Sequence, residues 1–239
     1  MDCVSMDPLQ SALAIIRKKA KTDLDRVKAE ALLTGYDWKY LDRYRKATIV
    51  SVEEEFSFDL RNPETGRPSR TFSVAGKKDA VIIENSTRKI VEHKTTGESV
   101  EPGSDYWTRL SMDVQVSAYI LDEELKGNRP ESVIYDAIRK PLLSLMAATP
   151  VEDRKYRKAD GKLYANQRET DEALDEFKER LMADIAERPE FYFGSREVAR
   201  LDSDLMEFAS DTWANSQQIL YYRNNEIWPR NPSACTMFG

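Results

Sequence analysis

The sequence is poor in the residues that build covalent or soft-metal sites. It holds two cysteines, Cys3 and Cys235, and one histidine, His93, in 239 residues. Two cysteines near opposite ends supply no disulfide framework, so a reducing compartment is the default expectation. They are also too few for an iron–sulfur cluster, which takes four thiolates. No uninterrupted apolar run reaches the ~18 residues of a membrane-spanning helix. The opening MDCVSMDPLQ lacks the basic-then-apolar pattern of a signal peptide. A cytoplasmic location with no membrane partner is therefore expected, in host cytoplasm if the protein is phage-encoded. Nor is there a positive excess: 36 Lys and Arg against 42 Asp and Glu leave a net charge of −6. No global field draws in nucleic acid, and any such binding must use a local basic strip. Internal repeats and low-complexity tracts are missing as well.

What is present is ordinary for a soluble α/β protein, with 41% hydrophobic and 33% charged residues. The length suits a single domain with a sizeable core. Residues 1–46 read as N-terminal helices, 47–141 as a sheet core, and 142–239 as a mainly helical remainder. In the first part Leu9, Leu13, Ile15 and Ile16 are expected in the core and Gly35 marks a break or bend. Arg17-Lys18-Lys19 reads as a solvated face. Residues 47–60 form the first strand, with Val50, Val52, Phe56, Phe58 and Leu60 on one phase. Glu54 falls on that apolar phase too, where a carboxylate needs a partner or a metal. After RNPETGRPSR, a turn-rich connection, the segment TFSVAG leads into a second strand. A helix is expected from Tyr106 to a stop at Gly127, with Trp107 packed inward rather than stacked on a base. VIYDAIRKP is a further strand ending on Arg139 and Lys140, an edge for the basic strip. A long polar loop over 148–170, a helix over 169–188, a short strand region and a last helix over 201–224 complete the reading. In that last helix Trp213 and Leu220 should face inward.

The chemistry-bearing stretch is Ala75–Thr96, AGKKDAVIIENSTRKIVEHKTT. AVII and KIVEHK are strands, and ENST between them is a turn. Residues two apart on a strand share a face, so Glu92 and Lys94 lie on one side and Val91 and His93 on the other. Pairing the strands as a hairpin can bring Asp79 beside Glu92. Two carboxylates and an ammonium at one point of a sheet suit metal-assisted phosphodiester hydrolysis. They also suit a plain surface hairpin with a Glu–Lys pair.

GKKDAVI and IVEHKTT resemble the catalytic hairpin of the PD-(D/E)XK nuclease superfamily, in its RecB-like and phage-exonuclease-like branch. Gly76 to Asp79 stands for the small-residue–Asp strand start, and Glu92-His93-Lys94 for the Glu-x-Lys strand. Downstream, Gln115-Val116-Ser117-Ala118-Tyr119 matches the QxxxY motif of that branch, with Gln115 and Tyr119 on one helical face. Lys78 stands where the family name has proline.

The resemblance implies a restriction-endonuclease-like core: an α/β fold with a central mixed β-sheet flanked by helices, plus N- and C-terminal helical additions. It implies Asp79, Glu92 and the backbone carbonyl of His93 as ligands of Mg²⁺ or Mn²⁺. Lys94 would position water, and Gln115 and Tyr119 would orient Lys94 or the phosphate. The upstream histidine of the branch is missing, and Glu30 or Glu54 is the acid that would replace it. RNPSACTMFG resembles the approach to a cysteine-rich element of some iron–sulfur members, but no cluster is expected here. DNA is the implied partner, with a recombination or replication protein as a further one, and exonuclease is the preferred activity. The alternative is a non-catalytic module of the same fold that binds DNA or a partner protein.

Overall fold

The computed structural model describes residues 7–232. Cys3 and Cys235, on which the expectation about an iron–sulfur cluster rests, lie outside the described residues. In chain order the elements are helices α1 (Pro8–Lys19) and α2 (Asp23–Lys46) and strands β1 (Thr48–Arg61), β2 (Pro68–Glu84) and β3 (Thr87–Thr96). Helices α3 (Asp105–Ser111) and α4 (Val114–Leu125) and strand β4 (Ser132–Arg139) follow. Then come α5 (Leu174–Glu187), α6 (Pro189–Tyr192), β5 (Phe193–Val198) and α7 (Asp202–Asn225). The fold is α/β, with one five-stranded mixed sheet in the order β1-β2-β3-β4-β5, flanked by helices. No helix among the described residues is long and apolar enough to cross a membrane.

Internal contacts gather into two units. One comprises the described residues up to Thr48 with His93–Leu110 and Tyr135–Arg196; the other comprises Ile49–Glu92, Ser111–Ile134 and Glu197 onward.

In the first unit, Asp7 caps α1 by accepting from the Leu9 N–H, with Pro8 at the first helical position. Thr22 caps α2, with Asp23 and Asp25 in its first turn and Arg43, Arg45 and Lys46 in its last, each sign matched to the helix dipole. The break between helices falls at residues 20–22. Gly35, expected to interrupt the helix, sits inside α2, where a Cβ would lie 2.6 Å from Ile185 Cγ2. Its role is close approach between helices. Val27, Ala31 and Gly35 recur every four residues on α2 as Phe177, Leu181 and Ile185 do on α5, and these faces build the core with Tyr192 and Phe193. Leu13 is buried as expected, but Ile15 is 56% exposed, because it points off the face that Leu13 buries.

Two polar clusters close this unit. Asp136 on β4 is fully buried; it accepts hydrogen bonds from the Tyr44 and Tyr36 hydroxyls, and Arg43 lies 3.7 Å away. Glu172 is clamped by Arg180, whose Nε and Nη2 both lie 2.7 Å from it, and also accepts from the Met146 N–H. The Arg180 hydrogen bonds hold its carboxyl down to about 2, from an ordinary 4.5. A depressed acid contributes stability above its unfolded pKa and loses it as pH falls through the folded one. The stability gap between wild type and Glu172→Gln should therefore be constant near neutral pH and shrink below about pH 4.5. Denaturant unfolding of both proteins across that range measures it; a gap that stays constant into acid removes Glu172 as the cause.

In the second unit, β1 and β2 are joined by a turn in which Asn62 accepts from the Glu64 and Thr65 N–H groups. Phe56 and Leu60 are buried on the expected phase, whereas Val50 and Val52 are exposed. Glu53, at φ +52°, takes a left-handed conformation within the strand, so the phase does not carry across it. The β2–β3 turn is two residues, Asn85 and Ser86, both at positive φ. That is the hairpin geometry whose twist matches the flanking strands. It fixes an antiparallel register from Glu84↔Thr87 to Ala80↔Val91. Beyond it, Glu131 N–H donates to Arg88 O, and in the first unit Lys140 N–H donates to Thr96 O. The chain advances in the same direction on both strands, so β3 and β4 are parallel.

The helix expected from Tyr106 to Gly127 is two helices. Asp113 interrupts it and caps α4, accepting from the Gln115 N–H at 2.9 Å. The stop at Gly127 is as read: it sits at φ +79° and donates to Glu124 O, while Asn128 donates to Glu123 O. In α7, Trp213 and Leu220 are half-buried, and Leu205 and Ser216 are the buried residues.

Candidate active site

The paired strands β2 and β3 set the expected acids side by side in sequence with the ladder. Asp79 directly precedes Ala80, and Glu92 directly follows Val91, the last recorded pair. Asp79 is half-buried and Glu92 is 5% exposed. A buried carboxylate needs hydrogen-bond donors, and α4 supplies one. The Tyr119 hydroxyl lies 3.1 Å from Glu92 Oε2 and 2.8 Å from the Lys77 carbonyl, sharing its single proton between them. The Gln115 amide donates to that hydroxyl in turn. Burial pushes the Tyr119 hydroxyl well above the usual tyrosine range, and the negative charges of Glu92 and Asp79 push it further. It stays a neutral donor. The i, i+4 spacing of Gln115 and Tyr119 therefore delivers a relay from α4 to Glu92, with Tyr119 packed edge-on against Phe56. Gly76 makes room for that ring: a Cβ there would lie 2.7 Å from Phe56 Cζ.

β3 continues into the first unit with His93 and Lys94. The His93 ring stands edge-on to Tyr36, centroids 6.0 Å apart. The Lys94 ammonium lies 5.8 Å from the centroid of the buried Tyr135 ring, within cation–π range. Trp107 is core, 3% exposed, with its indole N–H donating to Val100 O. Arg109 is paired with Glu98.

The two acids that could complete a metal shell both sit in ion pairs. Glu30 accepts from Lys178 at 2.6 Å and Arg17 at 3.0 Å, tying α1, α2 and α5 together; the Lys178 hydrogen bond leads in lowering its pKa. Arg17 makes this ion pair while its side chain stays 55% exposed, on the solvated face expected for it. Glu54 accepts from Lys126 at 2.6 Å and from Ser51, and its carboxyl is lowered to about 2, chiefly by Lys126.

Glu54 belongs to a cluster that the sequence reading missed. Its carboxylate, with those of Asp122 and Glu123, offers ligand atoms within 4.8 Å of one another. Three cations already answer this triad. Lys78, fully buried, donates to Asp122 at 2.6 Å and to Glu123, and lies 3.6 Å from Glu54. Lys126 bonds Asp122 at 2.7 Å, and Arg88 bonds Glu123 at 3.0 Å. A metal ion would have to displace Lys78 from its enclosed position, so the donor set fits an ion-pair network and not a cation site. Its evident effect is to fasten α4, with Gln115 and Tyr119, onto β2 beside Asp79. Lys78 shares the phase of Val74, Ala80 and Ile82, so strand alternation alone marks it as inward-facing.

No family model matches the chain, and no curated protein matches it. Among solved structures, the crystal structure of SSO0001 is similar at 14% identity and a TM-score of 0.29, covering 75% of this chain. The chain spans 64% of the length of that protein.

Proposed function

We propose that this protein is a metal-dependent deoxyribonuclease of the PD-(D/E)XK type, hydrolysing phosphodiester bonds at DNA ends in recombination, repair or phage replication. The observation that carries this reading is the Tyr119 hydroxyl. The chain places a motif tyrosine, held by its motif glutamine, within hydrogen-bond reach of the motif glutamate. Two separately recognised sequence elements, the QxxxY helix and the Glu-x-Lys strand, thus meet at one point, which a plain surface hairpin does not require.

Asp79 and Glu92 are hard oxygen donors of the kind that hold Mg²⁺ or Mn²⁺, and the His93 carbonyl would join them. Such an ion, when bound, lowers the pKa of water and screens charge developing on phosphate. Tyr119 holds one oxygen of Glu92 in place and so limits the rotamers that carboxylate can adopt. Asp79, being half-buried, remains within reach of a ligand arriving from solvent. Lys94, two residues beyond Glu92 on β3, takes the role of orienting the attacking water or stabilising the anionic transition state.

The test is degradation of linear DNA with Mg²⁺ or Mn²⁺ added and then chelated. Cleavage is expected to require the ion and to stop on addition of EDTA. Cleavage that continues unchanged in EDTA would sink the metal mechanism. DNA binding with no cleavage under any divalent condition would leave only the non-catalytic module.

A further inference from the structure

The end of β4 carries a cation that has no anionic partner among the described residues. Arg139 is the last residue of that strand and is half-buried. Its guanidinium carbon lies 4.0 Å from the centroid of Phe191, and Arg188 stacks on the same ring at 4.5 Å. The two arginines differ in their partners. Arg188 bonds Asp184 through Nε at 3.0 Å and Nη2 at 2.7 Å. Arg139 makes no ion pair among the described residues, and its Nε is enclosed with no acceptor. Elsewhere the chain partners its buried charges closely, as at Glu30, Glu172 and Lys78. A half-enclosed guanidinium with an unmet donor works against stability, and a ligand that accepts from it would remove that cost.

Its position favours one. Lys140 N–H bonds Thr96 O where the parallel strands β3 and β4 both finish. In open α/β sheets, ligands bind outside the carboxyl ends of the strands. By strand alternation Arg139 lies on the face of Tyr135, over whose ring Lys94 holds its ammonium. Four residues of strand, roughly 13 Å, separate Tyr135 from Arg139, and exposed Lys140 follows directly.

We propose that Arg139 is a phosphate-binding residue that holds a backbone phosphate of the nucleic-acid strand. With Nε enclosed, Nη1 and Nη2 are the donors left to meet two phosphate oxygens, a planar fork that Lys cannot reproduce. Phe191 fixes the plane of that fork. The proposal rests on the nucleic-acid substrate proposed above, and its test is binding rather than cleavage.

Anisotropy of a fluorescein-labelled linear duplex, titrated in EDTA over a salt series, reads it for the full chain. Arg139→Gln and Arg139→Met are expected to weaken binding several-fold. Each should reduce the slope of log affinity against log salt by about 0.9, one phosphate contact. The methionine keeps an apolar stem against Phe191, so it carries the test if the glutamine variant fails to fold by circular dichroism. Arg139→Lys should keep most of the slope, and Arg188→Gln all of it, because Asp184 already answers that charge. An unchanged slope in folded Arg139→Gln and Arg139→Met overturns the site, as does an equal loss on Arg188→Gln. The predicted slope change in a protein that never cleaves DNA supports the site while overturning the enzyme. No salt-dependent DNA binding by the wild type overturns both.

Discussion

Lys94→Ala is expected to slow DNA cleavage on the order of 10²–10³-fold while leaving affinity for the same DNA nearly unchanged. On the proposed mechanism the ammonium acts on the attacking water and on charge that develops only in the transition state. Interactions of that kind appear in the rate and not in ground-state binding. One cation among several facing the backbone carries a small share of affinity at fixed salt. The buried Tyr135 ring beneath the ammonium stays in place when the side chain is cut back, so the fold should hold. Cleavage and equilibrium binding measured on one substrate separate the outcomes. Cleavage near the wild-type rate would remove Lys94 from the site while leaving the enzyme standing. A loss confined to affinity, with the rate at saturation intact, would make Lys94 a binding contact only.

The second large effect is on stability. Lys78→Ala is expected to destabilise the protein by about 3–5 kcal/mol, the range for removing one partner of a buried ion pair. Lys78 is fully buried, and Asp122 and Glu123 have only 5% and 3% of their side chains exposed. Without the ammonium, two enclosed carboxylates and Glu54 repel one another with Lys126 and Arg88 as their remaining partners. For a chain of this length the melting temperature should fall by roughly 6–20 °C. The neutral triple variant Lys78→Met, Asp122→Asn, Glu123→Gln should recover most of that loss, because apolar or neutral groups of similar volume often replace a buried ion network without penalty. Thermal and denaturant unfolding of the single and triple variants gives the answer. A single variant melting within a degree or two of wild type would mean that the network contributes little.

The hairpin was legible in the sequence because its signals are local. The β-branched runs, the turn residues and the Glu-x-Lys alternation each act within a few residues. Gly127 was legible for the same reason, since the helix end needs φ of +79° there. What escaped depends on contacts far along the chain. Gly35 reads as a helix breaker until Ile185 is seen against it. Asp136 sits inside an apolar strand, and its tyrosine partners lie 100 and 92 residues away. Glu54 stood out as an acid on an apolar phase, but Lys126, 72 residues on, could not be inferred. The split at Asp113 was a local signal passed over, an aspartate two residues ahead of the Gln115 N–H that it caps. Lys78 was passed over too, although its strand phase pointed inward.

The two-residue turn at Asn85 and Ser86 has a consequence for how the site can change over time. The acids at either end of that hairpin, next to the Ala80↔Val91 pair, are brought near by local chain closure, which costs little entropy and tolerates substitution elsewhere. Their fastening to α4 reaches across 44 and 45 residues through Lys78. The chemistry and its anchorage are thus separable modules. Substitutions in α4 can loosen the anchorage and leave the acid pair intact, so on the proposed function a lineage could trade cleavage for plain ion or nucleic-acid binding without rebuilding the hairpin.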